Sequence, residues 1–111
     1  MADAARDPAE EFTALCAAYA DRPGVSLPDG TRRFGSSALK VNGAIFAMLV
    51  SDELVVKLPA ARVAGLIEDG LGTPFLSGRG TPMREWVQLA GHADVGSLAA
   101  EAYTFVGRTQ H

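Results

Sequence analysis

The sequence holds a single cysteine, Cys16, and two histidines. One cysteine forbids an internal disulfide, so the fold must stand on its core, and a lone thiol suits a reducing cytoplasm. No apolar run approaches the ~20 residues that a membrane-crossing helix needs, and the opening MADAARDPAEE lacks the apolar stretch of a secretion signal. Positive charge is not in excess. The net charge of −3 argues against a general affinity for nucleic acid, while leaving room for a local basic patch. His92 and His111 lie far apart, with no cysteine or carboxylate at ligand spacing, so neither a metal site nor a cofactor is expected. The chain has no internal repeat, low-complexity tract or linker.

What is present is apolar patterning. Hydrophobic residues make up 48% of the 111 positions, enough to exclude disorder and to build one core. A single domain is therefore expected, with its core over about residues 8–107.

The stretch ALKVNGAIFAMLVSDELVVKL, residues 38–58, reads as a three-stranded meander. Asn42-Gly43 between apolar runs signals a type I′ hairpin, because both central residues of that turn need positive φ. A strict two-residue loop sets Val41 opposite Ala44, Leu39 opposite Phe46 and Ala38 opposite Ala47. A second two-residue turn at Ser51-Asp52 sets Leu49 opposite Leu54, Ala47 opposite Val56 and Ile45 opposite Leu58. A three-residue turn there would swap the faces of the third strand.

Alternation then gives two faces. Ala38, Lys40, Ile45, Ala47, Leu49, Leu54, Val56 and Leu58 share the one expected under helices. Leu39, Val41, Phe46, Met48, Val50, Glu53, Val55 and Lys57 share the other. That second face is too apolar for plain solvent, so a partner or the chain's own loops should cover it.

Asp7-Pro8 starts a first helix to about Ala20, with Phe12, Leu15, Cys16 and Tyr19 on one stripe. Arg22-Pro23-Gly24 ends it. Small residues at Gly35, Ser36, Ser37 and Ala38 suggest a bulge before the meander. Pro59 opens a second helix carrying Val63, Leu66 and Ile67, stopped by Gly70. A short edge strand is read at Thr73–Leu76, a strand at Glu85–Leu89, and a last helix over about Asp94–Val106 with Val95, Leu98, Ala102 and Phe105 inward. The order α-β-β-β-α-(β)-β-α, with helices segregated to one side, is an α+β two-layer sandwich.

Chemistry is sparse. Cys16 on an apolar stripe reads as structural. The neighbouring carboxylates Glu10-Glu11, Asp52-Glu53 and Glu68-Asp69 belong to a helix start, a turn and a helix end. Ser77-Gly78-Arg79-Gly80-Thr81 is no P-loop, because Pro82 and a strand follow instead of a helix. Arg32, Arg33, Lys40, Lys57, Arg79 and Arg84 fall on or beside the sheet.

The run RRFGSSALKVNGAIFAMLVSDELVVKLPAARV and the later GRGTPMREWVQL resemble the N-terminal domain of the TfoX/Sxy family. That pattern joins an Arg-Met-Phe-Gly-Gly stretch, a hairpin, Met-Phe-Ala and a strand ending in Leu-Lys. The likeness spans about residues 10–106, and the related MmcQ/YjbR group shares the element order and the Trp-Val strand. It implies a secretion-chaperone-like α+β architecture, no catalytic residues, and correspondence at Arg33, Phe34, Gly35, Lys57, Arg79, Met83 and Trp86. Ser36 departs from the second glycine of the pattern. The C-terminal domain of full-length competence regulators has no counterpart in these residues.

Three readings follow. The first is a non-enzymatic interaction module, homodimeric or binding another protein, through Leu39, Phe46, Met48, Val55, Lys57 and Trp86 together with the Gly78–Gly80 loop. The second, implied by the resemblance, is a nucleic-acid-linked regulator with Arg32, Arg33, Lys57 and Arg79 on phosphates. The third is an enzyme or ligand carrier with a pocket between the last helix, Trp86 and the Arg79 loop.

Overall fold

A computed structural model describes residues 7–27, 37–50, 53–76, 79–91 and 93–109. In chain order the elements are α1 (Pro8–Tyr19), β1 (Val25–Ser26), β2 (Ser37–Val41), β3 (Ala44–Val50), β4 (Glu53–Lys57), α2 (Ala60–Glu68), β5 (Gly72–Leu76), β6 (Pro82–Leu89) and α3 (Val95–Thr109). The strands form one antiparallel sheet in the order β1-β2-β3-β4-β6-β5. The three helices pack on one face of it, giving the α+β two-layer fold expected from the sequence. None of these helices is long and apolar enough to cross a membrane.

Local chemistry explains most boundaries. The Asp7 carboxylate accepts from the Ala9 N–H at 3.0 Å, and Pro8 takes the first helical position of α1. Asn42 and Gly43 adopt φ of 53° and 85°, as a type I′ turn demands. The end of α2 is a Schellman motif: Gly70 N–H donates to the Ile67 carbonyl at 3.1 Å and Leu71 N–H to the Leu66 carbonyl at 2.9 Å. Gly70 supplies the positive φ, 76°, that this stop requires. The two-residue strand β1 has no counterpart among the elements expected from the sequence. It is anchored where the Asn42 N–H donates to the Gly24 carbonyl at 2.9 Å.

The β3–β4 register is the expected one, with Leu49 opposite Leu54 and Ala47 opposite Val56. Val50 pairs with Glu53 across the Ser51-Asp52 turn, which itself lies outside the described residues. The first hairpin departs from a strict ladder. Val41 faces Ala44, but Leu39 faces Ala47 and Ala38 faces Met48, because β3 holds one extra residue, Phe46, opposite the Leu39/Lys40 step.

This β-bulge corrects the face assignment. Leu39, Val41 and Phe46 turn under the helices and are buried, whereas Ala38, Lys40 and Ile45 turn to the other side. The Phe46 ring meets Tyr19 of α1 and Tyr103 of α3, at 5.5 and 5.6 Å between centroids. Burying each of three large apolar side chains contributes roughly 1.5–3 kcal/mol. The interrupted ladder costs about one hydrogen bond, ~1 kcal/mol net. The bulge also keeps the Lys40 ammonium out of the core, so burial wins. The small-residue bulge expected at residues 35–38 falls mostly outside the described residues.

The core joins Phe12, Leu15 and Tyr19 of α1, Val63 and Leu66 of α2, and Val95, Leu98, Ala99, Ala102 and Val106 of α3 to the inner sheet face. Cys16, Ile67 and Phe105 sit partly buried at its margin.

Candidate functional site

No helix among the described residues covers the second sheet face. Its centre is a row running across five strands: Ala38, Met48, Val55, Gln88 and Thr73 are successive register partners. Val55 stands outside the helix-packed cluster yet is 0% exposed, with Met48 and Gln88 on either side. Ile45, Met48, Val50 and Trp86 are half-buried, so an apolar band lies open beside a closed centre.

One end of the band is polar. Lys57 pairs with Trp86 across the β4–β6 ladder. Its ammonium lies 5.6 Å from the Trp86 ring centroid and 3.9 Å from Glu85 Oε1. Both partners of that ion pair are well hydrated, so it orders the side chain more than it stabilises the fold. At the opposite end of β4 stands exposed Glu53, on the same face by alternation. A strand that reads Glu-x-Val-x-Lys on one face therefore carries opposite charges about 13 Å apart.

Of the sequence-predicted interaction residues, this face holds Met48, Val55, Lys57 and Trp86. Leu39 and Phe46 do not belong to it; each is 0% exposed beneath the helices, because of the bulge. The expected basic set is not assembled among the described residues. Arg32 and Arg33 lie outside them, Lys57 is engaged by Trp86 and Glu85, and Arg79 lies exposed at the β5–β6 connection, where Gly80 has φ 80°. His92, His111, Ser77 and Gly78 also lie outside the described residues. Among the described residues, α3 packs on the inner face and Trp86 stands on the other, so the two do not line the expected common pocket.

No family model, no curated protein and no solved structure matches the chain.

Among the described residues, no three histidine, cysteine or acidic side chains gather as metal ligands would. Burial pushes the Cys16 thiol above its ordinary range, which depletes the thiolate at neutral pH. Iodoacetamide should therefore alkylate Cys16 several-fold more slowly than a free thiol at pH 7.5. The rate should climb only at distinctly alkaline pH, and urea unfolding should restore ordinary reactivity. Fast alkylation of the folded protein at neutral pH would contradict this placement.

Two features of the helical layer carry no signal in the sequence. Tyr19, Phe46 and Tyr103 form a ring cluster, with the Arg22 guanidinium 4.9 Å over Tyr19 and 5.6 Å over Tyr103. Arg62 of α2 makes a two-pronged pair with Glu101 of α3, at 2.9 and 3.1 Å. These partners are 39 positions apart, so no local spacing could have joined them.

Proposed function

We propose that the chain is a non-enzymatic interaction module that pairs with a second copy of itself through the helix-free sheet face. The observation that carries this reading is the Glu53–Val55–Lys57 series. A two-fold axis through Val55 sets Glu53 of one copy against Lys57 of the other, so the face complements itself. The apolar band of Ile45, Met48, Val50 and Trp86 then loses water on both sides. The molecule measures 32 × 32 × 28 Å, so one face can supply the ~800 Å² per partner of a standard interface. The resemblance to the TfoX/Sxy N-terminal domain, a family with no established catalytic residues, is in keeping with a binding role.

Light scattering across a concentration series tests this. The wild-type chain should run as a dimer, and Met48→Lys as a monomer with unchanged circular dichroism. Glu53→Lys and Lys57→Glu should each weaken the dimer roughly tenfold, about 1.4 kcal/mol, and the double exchange should recover most of it. A wild-type monomer at every concentration sinks the proposal, as does a double exchange that recovers nothing.

A further inference from the structure

The helical layer holds a second concavity, unrelated to the open sheet face. A groove of about 950 Å³ runs between α2 and α3. Its apolar wall is Pro59, Ala100 and Phe105, over the fully buried Leu58. Along α3 it is bordered from Ser97 to Arg108, about 16 Å at 1.5 Å per residue. The volume is in the range of small-molecule sites, and an apolar wall with few polar groups is their usual lining.

The charges in the groove are unequal. The Arg62–Glu101 pair closes one section and is neutral in sum. Arg108, two turns of α3 beyond Glu101, has no counter-ion among the described residues. It borders both this groove and a smaller recess of about 350 Å³ beside Pro23 and Asn42. The groove therefore carries one net positive charge at one end of an elongated apolar trough. The partial negative charge of the α3 C-terminus opposes an anion there, but a full guanidinium charge with a forked donor set outweighs it.

We infer that this groove binds an amphiphilic monocarboxylate, its carboxylate on Arg108 and its apolar body along Phe105, Ala100 and Pro59. Thr104, between Arg108 and Glu101, offers a hydroxyl donor to the second carboxylate oxygen. A cationic amphiphile of the same length would meet Arg108 as a like charge and should be refused.

Isothermal titration of the folded wild-type protein with decanoate and with decylammonium, below their micelle concentrations, tests this. Decanoate should bind at least tenfold more tightly than decylammonium. Arg108→Ala should weaken decanoate binding roughly tenfold, the size of one charge-assisted contact. Ala100→Trp, at an exposed position, should fill the trough and abolish binding while circular dichroism stays unchanged. Met48→Lys, on the other face, should bind as wild type does, which separates this site from the dimer surface. Equal affinity for both amphiphiles, full binding by the Ala100→Trp variant, or no decanoate binding at all overturns the inference.

Discussion

Phe46→Ala is expected to destabilise the protein by about 3–5 kcal/mol in urea unfolding, enough to leave a small domain largely unfolded. Phe46 is fully buried and its ring meets two tyrosines from two different helices. Truncation removes the contact that ties α1, α3 and β3 together, and leaves a cavity between rings that cannot collapse without moving a helix. The loss also removes the reason for the bulge, since the interrupted ladder is no longer offset by burial. Met48→Ala, two positions along β3, should cost under ~1 kcal/mol at dilute concentration, because Met48 is half-exposed on the open face. Similar losses for the two variants would mean that both side chains share one face, and would overturn the bulged register.

Gly72→Ala should cost about 1–3 kcal/mol, a large effect for one methyl group. A Cβ at this position would sit 2.5 Å from Val87 Cγ2 and 3.0 Å from the Gln88 carbonyl oxygen. Val87 is β-branched and fully buried, so it has no alternative rotamer to retreat into. The Gln88 oxygen is main chain of β6, a strand paired on both sides, and cannot move cheaply either. Relief has to come from β5 shifting away from β6, which opens the sheet beside α2. The midpoint of denaturation should fall while its slope stays constant. An unchanged midpoint would mean that β5 is held more loosely than the geometry states.

These two positions mark where sequence reading succeeded and where it stopped. The Asn42-Gly43 turn, the Asp7-Pro8 cap and the Gly70 stop were legible because each rests on one residue's own backbone chemistry. The helix stripes and the β3–β4 register were legible because periodicity survives without knowledge of partners. The bulge was not, since it is decided by burial against Tyr19 and Tyr103, far away in the chain. One clue existed: strict alternation placed Lys40 on the face meant for the core, and a lysine there has nowhere to put its charge. Strand β1 was invisible because two residues carry no period. The α2–α3 groove depends on Arg62 and Glu101 meeting across 39 positions, which no motif announces.

The sheet ends in β1 on one side and β5 on the other. The first offers only two residues of backbone, and the second contains Pro74, which has no N–H to give, beside a register shift. Further strands cannot easily be added to either border. Both features disfavour growth into fibrils by strand addition at β1 and β5, even with greasy side chains at Leu76 and Met83 close by. In the proposed dimer, self-association falls to the flat of the sheet, where a two-fold contact closes on itself and stops at two.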